Sequence, residues 1–200
     1  MRRESSTVVA LVGKADDRVL AEIGRSPNVS VARAPEAEAG GVAAEAPPAP
    51  AWEKGALALR EAARRRSTYV IVADDPLAGV AAQWRAMWEV PGGSPGADAF
   101  EASATDVLAA WRGKQFELPD YYLVIAPSAH AATGPDLYLG PLHAARPRRV
   151  VVAGEADSAG QATIVLNTLR FLEHGPWWPP LDELLDSVRR FYPGAIRASA

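Results

Sequence analysis

The chain has 200 residues, the size of about one domain. With 21 Lys and Arg against 24 Asp and Glu its formal net charge is −3, which argues against a generally basic nucleic-acid coat and leaves room only for local basic patches. Hydrophobic residues make up 48% and charged residues 22%, so wholesale disorder is excluded, and the lack of Cys excludes disulfides, thiolate catalysis and Cys-ligated metal centres.

Met1-Arg2-Arg3-Glu4-Ser5-Ser6 leads into Thr7–Gly13 (TVVALVG). This apolar run is too short for a secretory h-region and reads as a first buried strand. Asp16–Ile23 follows as a helix with Val19, Leu20 and Ile23 on one side. Asn28–Ala34 alternates Val29 and Val31 with polar residues, the pattern of an edge strand. Pro35–Pro50 is rich in Pro, Ala, Gly and Glu and reads as a flexible surface excursion within one domain spanning 1–200.

Trp52–Arg66 is built from Leu and Ala and reads as a helix, and Thr68–Ala73 (TYVIVA) as the next strand. Leu77, Val80, Ala81, Trp84, Met87 and Trp88 form one helical stripe, which Pro91–Gly96 ends in a tight loop. Ser103 is placed to cap a further helix carrying Val107, Leu108 and Trp111. Tyr121–Ala126 (YYLVIA) and Arg149–Ala153 (RVVVA) read as the last two strands, followed by a helix over Ala162–His174. After Pro179-Pro180, Leu181, Leu184, Leu185, Val188, Phe191 and Tyr192 recur at helical spacing until Pro193-Gly194. No run approaches the ~18 apolar residues of a membrane span.

Strands alternating with helices imply βαβ units with helices on both faces of the sheet. The expected fold is a three-layer α/β sandwich with about five mainly parallel strands in flavodoxin/Rossmann-like order, the simplest being 2-1-3-4-5. In such a sheet ligands bind beyond the carboxyl ends of the strands, so the residues after each strand are the candidates.

Asp74 and Asp75 stand out there. Two carboxylates at a strand end are suited to Mg²⁺, or Asp74 to taking a phosphoryl group, with Glu155 as a further acidic group on the same rim. The plainer reading is that one of them caps the helix starting near Pro76. Ser128 and His130, two apart on an extended segment, point the same way, and Asp74 or Glu155 could orient the His in a nucleophilic unit. The element order is similar to that of phosphorelay receiver domains, with Asp74 at the acceptor position and Ser128 at the hydroxyl position. Gly13-Lys14 and Gly154-Glu155 stand where receivers have an acidic pair and a Lys, so the resemblance is one of topology and implies no phosphotransfer.

Other fingerprints fail. Gly92-Gly93-Ser94-Pro95-Gly96 matches G-x-S-x-G in letters but follows a helix, and Pro95 lacks the N–H an oxyanion would need. There is no P-loop and no G-x-G-x-x-G, so no cofactor is specified. His130, His143 and His174 lack the spacing of a metal site. The basic runs Arg64-Arg65-Arg66 and Arg146-Pro147-Arg148-Arg149 precede strands, on the rim opposite the candidate carboxylates, and read as solvated helix ends rather than a nucleic-acid surface.

Trp177 and Trp178 lie between prolines in Gly175–Pro180, where two adjacent indoles cannot easily both turn inward. An exposed aromatic pair on a rigid loop suits a protein partner, and a loop folded back to cap the sheet edge is the plainer alternative. Two functional classes follow. The favoured one is a non-catalytic α/β interaction or regulatory module that binds a protein partner through Trp177 and Trp178. The other is a small enzyme or ligand-binding domain using Asp74, Asp75, Ser128, His130 and Glu155. The Arg- and Ala-rich composition suggests a GC-rich bacterial genome, and a cysteine-free chain fits a cytoplasmic protein.

Overall fold

The computed structural model describes residues 6–13, 15–35, 49–89, 94–125, 136–154 and 158–191. Five strands form one parallel sheet: β1 (Thr7–Val12), β2 (Val29–Ala32), β3 (Tyr69–Val72), β4 (Tyr121–Ile125) and β5 (Val150–Ala153). The helices are α1 (Asp17–Gly24), α2 (Ala51–Ala62), α3 (Ala78–Glu89), α4 (Ser94–Arg112), α5 (His143–Ala145), α6 (Ser158–Leu169) and α7 (Leu181–Arg189). A π-helical turn, Tyr138–Leu142, runs directly into α5.

The expected sandwich is present, but its strand order is β2-β3-β1-β4-β5, so β1 and β3 are exchanged relative to 2-1-3-4-5. The difference has a physical reason. Both orders leave β2 and β5 at the edges and bury β1, β3 and β4 on two faces, so the continuous apolar runs fit either one equally. The exchange also separates the sheet from the 2-1-3-4-5 arrangement of receivers.

Alternation along each strand divides the core in two. Val9 and Leu11 of β1, Ile71 of β3 and Leu123 and Ile125 of β4 pack with Val19, Leu20 and Ile23 of α1 and Val165 and Leu169 of α6. Val8, Ala10, Val70, Val72, Tyr122 and Val124 face the other way, toward α2, α3, α4, the π turn and α7. Asp16 caps α1 by accepting the Val19 amide at 2.8 Å.

Two glycines permit the close packing of the second layer. A Cβ at Gly55 would lie 2.1 Å from the Pro76 nitrogen, so α2 rests directly on the Asp75-Pro76 backbone. A Cβ at Gly96 would lie 2.6 Å from Met87 Cα, where α4 crosses α3. Accordingly α4 starts at Ser94, inside the segment expected as a loop, and Ser103 sits in its interior rather than at its cap. A Ser-Pro-Gly sequence serves a turn and a helix start alike, since Pro is favoured in the first turn. At the other end of the chain α6 stops at Leu169 and α7 at Arg189, each earlier than the apolar spacing suggested. Among the described residues no helix is long and apolar enough to cross a membrane.

Candidate functional site: the two rims of the sheet

At the carboxyl ends of the strands, Asp74 and Asp75 are adjacent in sequence but differ in environment. Asp74 pairs with Lys54 of α2 at 2.8 Å and accepts the Ala34 amide at 3.3 Å. It thereby ties the exit of β2 and the side of α2 to the end of β3. Asp75 turns inward and is only 7% exposed. Its carboxylate accepts the Tyr122 hydroxyl at 3.2 Å and the Tyr138 hydroxyl, and also takes the Leu77 amide two residues on. Burial pushes the Asp75 carboxyl up to about 6, while these hydrogen bonds pull the other way. The same burial, together with the neighbouring Asp75, holds both phenols well above their ordinary value.

The Asp75 cluster joins three segments: the turn into α3, β4 through Tyr122, and the π turn through Tyr138. The two phenol rings lie 5.2 Å apart, and Tyr122 meets Trp178 edge-on at 5.6 Å. No signal in the sequence pointed to Tyr138, which reaches Asp75 from 63 residues away. Ser128, His130 and Glu155 lie outside the described residues. Among the described residues no group of three or more His, Asp or Glu side chains is placed to hold a metal ion.

The amino-end rim is built differently. The loop from α6 to α7 passes beneath the starts of β4 and β5, and five consecutive carbonyls in it accept side-chain hydrogen bonds. The Tyr121 hydroxyl donates to Glu173 O (3.1 Å), Arg148 to His174 O (3.2 Å), Arg149 to Gly175 O and Pro176 O (2.8 and 3.2 Å) and Arg146 to Trp177 O (2.6 Å). The basic run Arg146-Pro147-Arg148-Arg149, expected to be a solvated surface, is thus a clamp on this loop. Fork-shaped guanidinium groups suit this role because each can reach two carbonyls.

Arg149 is the centre of the clamp. It is 7% exposed, donates a third bond to Asp120 O at 3.1 Å, and lies 4.8 Å from the ring centres of both Tyr121 and Trp177. The two tryptophans accordingly take separate roles. Trp178 is 5% exposed, packs on Tyr122 and donates its indole N–H to Pro119 O at 2.8 Å. Trp177 is 39% exposed, one face resting on Arg149.

Two open concavities adjoin Trp177 on this rim. A cavity of about 530 Å³ lies between the end of α2, the starts of β1 and β4, and the 114–120 segment. A shallower groove of about 930 Å³ runs past Trp111, Phe116, Trp177, Pro179 and Pro180. Of the residues singled out in the sequence, Trp177 lines both and Trp178 the groove, whereas the search beyond the carboxyl ends of the strands pointed to neither concavity. Phe116, Tyr121, Arg149 and Trp177 come from four separate segments, and only the folded rim brings them together. The chain matches no family model, and comparison with characterised proteins and with solved structures also gave no match.

Proposed function

We propose that this protein is a non-catalytic α/β module that binds a protein partner, cytoplasmic in setting, through the aromatic groove at the amino ends of its strands. The observation that carries the reading is Trp177: a partly exposed indole resting on Arg149, in a segment where Pro176 precedes the two tryptophans and Pro179-Pro180 follow them. A large aromatic group already ordered before binding loses little entropy on association, which is why such residues dominate interface energetics.

The occupant we favour is an extended polypeptide segment with apolar or proline side chains and acidic flanks. Trp111, Phe116, Trp177, Pro179 and Pro180 give the groove the flat aromatic and proline surfaces on which extended chains dock. Lys114 lies on its edge beside Arg112, which is itself paired with Asp182 at 3.3 Å, and the more basic cavity continues beyond it, so acidic flanks gain from the local field. By contrast, the carboxylates at the opposite rim are engaged within the fold: Asp74 in an ion pair and Asp75 in a buried cluster.

The test is selection of random peptides displayed against the folded protein. The expected result is an aromatic or proline consensus with acidic neighbours, whose affinity drops by at least about tenfold in Trp177→Ala. A consensus indifferent to Trp177→Ala, or none at all, overturns the reading. So does a dimer in sedimentation that Trp177→Ala dissolves, because the occupant is then a second copy of the chain.

A further inference from the structure

The cavity beside the groove has its own charge balance. Arg60, Arg64, Lys114 and Arg149 line it, with Glu117 and Asp120 as the lining carboxylates and His174 at the margin. Arg64 and its neighbour Arg65 share Glu61 at 3.4 and 2.9 Å. Counting these outer groups, five permanent cations face three carboxylates among the described residues. The carboxy-terminal ends of α2 and α4 also approach, and each contributes roughly half a negative charge. An excess of about one positive charge is left on a chain whose total is −3.

Hydrogen bonding does not remove that excess. Arg149 spends its donors on the neutral carbonyls of Asp120, Gly175 and Pro176, and Arg60 on the backbone and side-chain oxygens of Gln115. Carbonyls satisfy donors without cancelling a formal charge. Lys114 stands in the left-handed region (φ 57°) just past α4, and the described residues hold no ion pair to it. The walls are Phe116, Tyr121 and Trp177.

From this arrangement we infer that the cavity is a binding site for an organic carboxylate. A net positive lining matches an anion, and a space of about 530 Å³ with aromatic walls has room for an apolar body that inorganic phosphate would leave unfilled. The carboxylate can belong to a free small molecule or to an acidic side chain of a bound polypeptide. The site itself does not rest on the partner reading above.

The probe is phenylacetate, with phenylacetamide as its neutral counterpart of the same shape. Titration of ¹⁵N-labelled protein follows the indole N–H signals, with the Trp177 signal assigned from Trp177→Phe. Phenylacetate is expected to shift it saturably at millimolar concentration, and phenylacetamide to bind at least about tenfold more weakly. Arg60→Gln and Lys114→Asn should each weaken phenylacetate binding several-fold, and the undisturbed remaining indole signals confirm that both variants fold. Asn is chosen because it tolerates the left-handed backbone at position 114. Equal binding of acid and amide, affinity unchanged in both variants, or no binding overturns the site. Where phenylacetate binds, competition with a peptide selected on the groove identifies the carboxylate as peptide-borne, and independent binding identifies a free ligand. If the site holds while no peptide is selected, the partner reading alone falls.

Discussion

The two rims of one sheet use their charged residues in opposite ways. At the carboxyl ends the carboxylates turn inward or sideways and are consumed: Asp75 by two phenols and an amide, Asp74 by Lys54. At the amino ends the arginines also hold the fold together, and although Arg148 pairs with Glu173 at 3.3 Å, Arg149 grips neutral carbonyls, so its charge remains to act on whatever enters the adjoining space. A residue's ionic partner, more than its position after a strand, decides whether it is left free to bind. That contrast can be broken or sharpened by substitution at either rim.

A large effect is expected first at Gly55. Even the methyl group of Gly55→Ala would meet the Asp75 carbonyl carbon at 2.3 Å and the Pro76 nitrogen at 2.1 Å, and backbone atoms cannot swing aside. Urea unfolding should show a loss of about 3 kcal/mol or more, the upper end for overpacking. Gly140 is the control. Nothing lies within 4 Å of a Cβ there, so Gly140→Ala should leave stability nearly unchanged. Equal midpoints for the two variants would mean that α2 does not rest on the Asp75 turn.

Next comes Arg149→Met, which keeps much of the apolar stem and removes the guanidinium. Three carbonyls lose their donor and two rings lose the cation beside them. The expected cost is about 2–3 kcal/mol, accompanied by loss of order at the Trp177 indole signal. Arg149→Lys should recover little, because a single ammonium cannot serve carbonyls on both sides. Full recovery by Lys would show that charge alone, without the fork, holds the loop.

These two sites also show what the sequence discloses and what it conceals. The strands were legible because β1, β3 and β4 are continuous β-branched and aromatic runs, and α7 because its leucines repeat at helical spacing between prolines. The order of β1 and β3 was not legible, since both strands are interior in either order and the same apolar runs fit both. Nor was the clamp. Arg146-Pro147-Arg148-Arg149 reads as surface until the chain returns near residue 175 to offer its carbonyls. The Gly175–Pro180 segment disclosed half its meaning: the two indoles do part company, but only the edge-on contact with Tyr122 settles which of them goes inside. Asp75 was singled out for its charge, and its role depends on Tyr122 and Tyr138, neither of which carries any mark of that partnership.

The Asp75 cluster allows a test with a definite sign. The folded protein holds the proton on Asp75 with a pKa of about 6 and the unfolded chain with one of 3.8, so the folded state binds more protons between these values. Stability from this group is therefore greatest below pH 4 and declines as pH rises through 6, by up to about 3 kcal/mol. Other ionisable groups nearby are Tyr122 and Tyr138, Lys54 paired to Asp74, and Arg85 of α3, 3.9 Å from Asp136. Asp75→Asn keeps an acceptor and adds a donor without the charge. The stability difference, variant minus parent, should rise between pH 4 and pH 7. A difference that stays flat across this range would show that Asp75 is not buried as an acid.

A small change in stability, with the largest change in binding, belongs to Trp177→Ala. The indole is 39% exposed, its contact with Arg149 is one-sided, and the backbone carbonyl that Arg146 grips survives the substitution. Thermal unfolding should therefore register no more than about 1 kcal/mol, the scale of an exposed cation–π contact. Trp178→Ala, by comparison, empties a buried site against Tyr122 and should cost about 3–5 kcal/mol. Because the two residues are adjacent in one loop, the pair separates holding the fold from offering a surface. If Trp177→Ala proves as destabilising as Trp178→Ala, its indole is a structural cap, and the amino-end groove loses the residue on which its role in binding depends.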